Sequence, residues 1–179
     1  PFEKRLDILS AEIVTALTER GITKITVAEF CDTNGETNQL GVYLSEELLF
    51  RLMENNQIEV VKTDKETSAV NTENNQNSTE NDPANETSQT LSVSYQQKIN
   101  EAITKTDETT INPEIGNLLK DLAVDAVVGG IIDNLGTKIN LKIKIISNPD
   151  GNVSSLVNLL ASKNEIVYIL LGEVPKNIE

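Results

Sequence analysis

Histidine and tryptophan are absent from this chain of 179 residues, and cysteine occurs once, at Cys31. Without histidine, the commonest general base and the commonest metal ligand at neutral pH are missing. A single cysteine closes no internal disulfide and builds no zinc site. It fits a reducing cytosol or a bacterial periplasm, so the redox compartment stays open. Basic residues are scarce: 15 Lys and Arg stand against 28 Asp and Glu, a net charge of −13. Duplex nucleic acid is bound largely through phosphate neutralisation by Lys and Arg, which an acidic chain with no basic cluster does not supply. Docking on anionic lipid is disfavoured for the same reason. Long hydrophobic runs are missing too: none approaches the roughly 20 apolar residues of a membrane-spanning helix.

Hydrophobic residues make up 38% of the chain, below the roughly 45–50% of globular domains. The shortfall is local. Residues 63–90 are mainly Asn, Thr, Glu and Ser, and hold six acids against Lys65. Such a stretch cannot bury enough apolar surface to offset its ordering entropy. The expectation is a single α/β domain over 1–179 with a disordered low-complexity insertion at about 63–93. Such an insertion is cheap to close, at about 0.6 kcal/mol per doubling of loop length. The chain begins at Pro1 and not at Met, which reads as a trimmed or mature product; a signal or lipid anchor upstream of Pro1 would not show.

Periodicity supplies the elements. Leu6, Leu9, Ile13, Ala16 and Leu17 predict an amphipathic helix over 3–20, stopped by Gly21. Thr23 to Phe30 reads as a strand apolar on both faces. A polar loop over 31–38 leads into a helix over 39–55 marked by Leu40, Leu44, Leu48 and Leu52. Ile58, Val60 and Val61 make a short strand, and 94–106 a weak helix. Asn112-Pro113-Glu114 is a helix start with cap, proline and first-turn acid in place. Asp125 to Ile132 reads as a buried strand in which Gly129 and Gly130 signal a bulge or a close approach. From Lys138 to Ile146, Ile139, Leu141, Ile143 and Ile145 alternate with polar residues, the pattern of an antiparallel strand with one wet face. Pro149-Asp150-Gly151 reads as a turn, Leu156–Ala161 as a short helix and Glu165–Leu171 as a final strand. Helices alternating with strands, then a hairpin, predict an α/β (α+β) fold: a mixed central sheet of about four to five strands with packed helices.

No constellation for chemistry stands out. A calcium loop starting at Asp32 would need an acid eleven residues on, where Tyr43 stands. Glu46 and Glu47 are adjacent and point to different sides of a helix. Ser10, Ser45 and Ser154 lack a histidine to activate them. Gly129-Gly130 lies within a strand and lacks nucleotide-loop spacing. Cys31 reads as a buried spectator thiol. Lys138, Lys142 and Lys144 read as a solvated strand face that discourages edge pairing.

Four segments in order carry a resemblance: Val27-Ala28-Glu29-Phe30, the loop Asp32-Thr33-Asn34-Gly35, Leu40-Gly41-Val42-Tyr43-Leu44-Ser45-Glu46-Glu47-Leu48, and Val124-Asp125-Ala126-Val127-Val128-Gly129-Gly130 after Ile115-Gly116-Asn117. Over about 20–62 and 112–148 the chain resembles the FlgO-type domain, which is related to the CsgG, LpoB and TolB N-terminal modules. The resemblance implies an anticodon-binding-domain-like α/β fold without an active site, often found in the bacterial cell envelope. It implies protein partners or self-association, no cofactor, no metal and no small-molecule substrate. Localisation would be the periplasm or the outer membrane, with a cytoplasmic regulatory or ligand-sensing domain as the alternative. The candidate interaction loop is Asp32, Thr33, Asn34 and Gly35; turn formation and helix capping account for the same residues.

Overall fold

The computed structural model describes residues 1–62, 86–106, 112–147 and 152–175. Helix α1 spans Phe2–Glu19 and packs Phe2, Leu6, Leu9, Ile13 and Leu17 into the core. Strand β1 is Lys24–Val27 and β2 is Cys31–Asp32. Helix α2 (Gln39–Met53) follows, its N-terminus capped by the Asn38 side chain, which accepts from the Gly41 amide at 2.9 Å. Strand β3 is Glu59–Val60, and α3 spans Glu86–Lys105. Helix α4 (Pro113–Asp121) is capped by Asn112, as its first three residues predict. Then come β4 (Ala126–Leu135), β5 (Lys138–Ser147), β6 (Asn152–Ser162) and helix α5 (Glu165–Leu170).

The sheet runs β3-β1-β4-β5-β6, with β2 also on β4. Strand β1 pairs in parallel with β3 and β4, whereas β4, β5 and β6 form an antiparallel meander. The mixed α+β architecture is the one expected. Its strand count rises to six among the described residues because the strand foreseen over Thr23–Phe30 shortens to β1 and a further short strand, β2, forms at Cys31–Asp32, at the start of the stretch read as polar loop. Val27 faces Val128 and Cys31 faces Ile131, so Ala28–Phe30 stand against Gly129 and Gly130 alone. The extra residue makes a bulge, on the chain facing the two glycines.

Two apolar layers sandwich the sheet. Helices α1 and α2 cover one face, over Ile25, Val27, Val128, Leu141 and Ile143. Helices α3 and α4 cover the other, over Ala28, Cys31, Val127, Ile131 and Ile146. The glycine pair serves both. A Cβ on Gly129 would lie 1.9 Å from the Ile103 side chain of α3, and one on Gly130 would lie 2.8 Å from the Phe30 ring on the opposite face.

Three expectations are corrected. Leu156–Ala161 is strand, not helix: ten register pairs tie β6 to β5, and Ala161 and Leu159 turn to the core while Leu160 turns out. Glu165–Leu171 is helix, not strand: Asn164 accepts from the Val167 amide at 2.9 Å, and Val167 and Leu170 face inward one turn apart. Local capping overrode β-branched composition there. The lysine face of β5 does not guard an edge, since β5 lies inside the sheet. The Lys144 ammonium donates to the carbonyls of Ile103 and, at 2.8 Å, Thr106, a cation at the carboxyl end of α3, where the helix dipole favours it. Of the stretch 63–93, residues 63–85 lie outside the described residues, and the backbone from Glu86 on is helical. The turn expected at Pro149-Asp150-Gly151 lies outside them as well.

Candidate interaction surface

Strand β2 sets the candidate loop at the carboxyl end of β4, because Asp32 faces Ile132 in parallel register. The Asp32 carboxylate is spent on the loop itself. Its Oδ1 accepts from the amides of Asn34 at 2.8 Å and Glu36 at 3.0 Å. Its backbone carbonyl accepts from Gly35 at 3.1 Å, and its own amide donates to Glu36 at 2.9 Å. This is an Asx turn closing on itself. Gly35 sits at φ +86°, in the left-handed region glycine enters freely. Thr33 and Asn34 are left exposed at the tip.

Helix α3 fixes the loop from the side. Buried Asn100 donates from Nδ2 to Thr37 Oγ1 at 3.1 Å and accepts from Gln96 Nε2 at 3.1 Å. Sequence reasoning missed Asn100, although a lone amide inside the stripe Ile99, Ala102, Ile103 was a readable signal.

Beyond Ile132, β4 runs to the hairpin at Gly136-Thr137. The start of α5 is tied there, as the Lys163 amide donates to the Thr137 carbonyl at 3.0 Å. The Lys163 side chain is fully buried. Its ammonium pairs with Glu173 at 2.5 Å and lies 5.1 Å from the Tyr168 ring centroid. The other Glu173 oxygen, Oε1, accepts from Asn134 Nδ2 at 2.8 Å. This clasp, also missed in the sequence, pins the C-terminal segment to the hairpin. Large apolar side chains of the hairpin and the C-terminal segment stand in solvent: Leu135 is 51% exposed, Ile169 63% and Val174 85%.

Cys31 is buried behind the loop, with Sγ 3.7 Å from the Gly130 carbonyl. Burial, and next the adjacent Asp32 carboxylate, push its thiol up to about 11. It is protonated at neutral pH and a poor nucleophile. Glu47 is taken up by Arg51, which pairs with it at 2.5 Å and with Asp7 of α1 at 2.8 Å. Among the described residues no three His, Cys, Asp or Glu side chains gather as a metal site, and no helix is long and apolar enough to cross a membrane. A cleft of about 340 Å³ lies between α3 and α4, with Ala102, Ile115 and Leu118 in its lining and Lys98, Lys105 and Glu114 beside them. The arrangement at the loop end offers shape, apolar area and backbone polarity, which are the means of recognition.

No family model and no curated protein sequence matches the chain. Its fold is similar to the LpoB C-terminal domain from Salmonella enterica, at 15% identity over 88% of this chain and 96% of that one, with a TM-score of 0.50. The LpoB C-terminal domain from Escherichia coli is also similar, at 13% identity over 79% of this chain and 83% of that one, with a TM-score of 0.45. The first likeness establishes an LpoB-like fold, with the mixed sheet and packed helices described above.

Proposed function

We propose that this chain is a non-enzymatic interaction and assembly module of the FlgO type. It works through protein–protein contacts in a bacterial cell envelope, in the periplasm or at the outer membrane. One domain spans 1–179, interrupted by an insertion between β3 and α3. The observations that carry the reading are a loop held rigid by Asp32 and Asn100 and, at the hairpin and the C-terminal segment, the exposed Leu135, Ile169 and Val174. Exposed large apolar groups rimmed by polar ones mark contact sites for other proteins. The LpoB-like fold agrees with the envelope assignment. No cofactor or small-molecule substrate enters this reading.

The test joins localisation to contact. The full-length gene is expressed, cells are fractionated, and a photo-crosslinking residue is placed at Asn34 or, as the control at an exposed polar position of α1, at Glu12. Envelope fractionation with a discrete protein adduct from Asn34 and none from Glu12 is expected. A soluble cytoplasmic protein with no Asn34 adduct sinks the proposal. A cytoplasmic ligand-sensing domain is the second reading, favoured by the cleft between α3 and α4. It requires a nucleotide or metabolite to raise Tm, and Lys105→Ala to abolish that rise.

A further inference from the structure

Strand β6 ends the sheet. Its neighbour on one side is β5, and among the described residues no strand lies on the other. The ladder fixes which of its peptide groups face out. In antiparallel pairing, alternate residues exchange both bonds with the neighbour, and those between point away. The Lys163 amide donates to Thr137 at 3.0 Å, one step beyond the pair Lys138↔Ser162. Odd-numbered residues at this end therefore bond across β5 and β6, and the peptide groups of Asn158, Leu160 and Ser162 face outward. Arg5 agrees with that direction: reaching from α1, its Nη1 donates to the Leu160 carbonyl at 3.0 Å.

Proteins blunt such edges with charge, proline or a very short strand. Within strand β6 itself the 11 residues Asn152 to Ser162 include no charged residue, no proline and no glycine; its guards are one register shift opposite Ile145 and Ile146 and the Arg5 side chain at Leu160. The opposite edge, β3, is two residues long and carries Glu59. Pairing β3 with its own copy would set two carboxylates together; pairing β6 with its own copy sets none. In a chain of net charge −13, β6 is the edge along which two copies can meet without like charges in the joined strands. Antiparallel self-pairing is two-fold symmetric, so each outward amide finds a carbonyl on its mate. In a register centred on Leu160, which is 48% exposed, the two copies of that side chain become apolar cross-strand neighbours.

We propose that the outer edge of β6 pairs antiparallel with β6 of a second copy, making a homodimer with a sheet continuous across both chains. Arg5 competes for the Leu160 carbonyl and holds the pairing weak and reversible. This inference does not depend on the function proposed above.

Sedimentation velocity of the purified chain over a concentration series, in about 0.15 M salt to screen repulsion, tests it. A concentration-dependent dimer is expected. Arg5→Ala tightens it. Asn158→Pro raises its Kd at least about tenfold, because that amide points outward and its loss leaves the β5 ladder intact. Leu160→Lys, at an exposed position, weakens the dimer similarly without lowering Tm, and keeps the test decisive should the proline disturb folding. A monomer at every concentration for both the parent chain and Arg5→Ala overturns the proposal, including the case in which β6 pairs only with a strand of another protein. So does a dimer that Leu160→Lys leaves unchanged.

Discussion

At the scale of single residues, the structure assigns opposite signs to two changes that helix propensity alone would rank the other way. Alanine normally stabilises a helix relative to glycine by about 1 kcal/mol. At Gly41 a Cβ would fall 2.1 Å from the backbone oxygen of Phe30, an atom that cannot rotate away. Gly41→Ala is therefore expected to lose about 3 kcal/mol in chemical denaturation, through overpacking. Ala123 closes α4 at φ +53°, with the Val124 amide donating to Leu119 at 3.1 Å. Ala123→Gly is expected to gain about 0.5–1 kcal/mol, since glycine carries no left-handed penalty. A gain at Gly41 or a loss at Ala123 would contradict this packing. Cys31 supplies the alkaline prediction. Its thiol ionises near 11 in the folded chain against 9.0 as its ordinary value. The unfolded chain then releases its proton first, so this group's stabilisation is complete below pH 9 and is lost as pH rises from 9 to 11. The loss is on the order of 2 kcal/mol, and Cys31→Ala should flatten that part of a stability–pH curve. A disulfide-exchange reagent should label Cys31 only on unfolding.

At the scale of elements, what could be read from the sequence followed from how local its causes are. Helices α1, α2 and α4 were legible because a buried stripe lies within one segment together with a start or stop signal; Asn112-Pro113-Glu114 is the clearest start. The hairpin of β4 and β5 was legible from its alternation. Strand β6 and helix α5 were exchanged for different reasons: β6 was decided at a distance by its long register with β5, whereas α5 was decided locally by the Asn164 cap, which the β-branched composition of the segment masked. The candidate loop was found as a turn. Its support was not, because Asn100 is separated from Thr37 by 63 positions; the C-terminal clasp was missed for the same reason, Glu173 lying 39 positions from Asn134. Lys144 shows the same limit. Its even place in an alternating strand says solvent, yet its ammonium meets the end of α3. Lys144→Met keeps the aliphatic stem and removes the charge. It is expected to lower stability by about 1–2 kcal/mol, the scale of charged hydrogen bonds, with faster amide exchange concentrated in the last turn of α3. Uniform exchange across the chain would argue against that capping role.

At the scale of the whole molecule, 28 acids against 15 bases oppose compaction. Raising ionic strength from about 0.01 M to 0.5 M shortens the screening length severalfold, so Tm is expected to rise over that range; a fall would mean that pairs such as Arg51 with Asp7 and Glu47 outweigh the general repulsion. The sheet also joins two kinds of chain path. Strands β4, β5 and β6 are neighbours in sequence, whereas the amide of Lys24 reaches the Asp125 carboxylate across 101 positions. Closing so long a loop precedes any reward from its contacts. The meander is therefore expected to form early and the docking of β1 on β4 late, so that the insertion lies inside the slow step. Deleting residues 66–82 would then speed refolding while leaving equilibrium stability nearly unchanged, because closure entropy varies only with the logarithm of length. Stopped-flow refolding of the two chains would decide it, and equal rates would mean that β1 docks before the limiting barrier. On this topology, the length of the acidic segment between β3 and α3 sets how long a newly made chain stays open before its two halves meet.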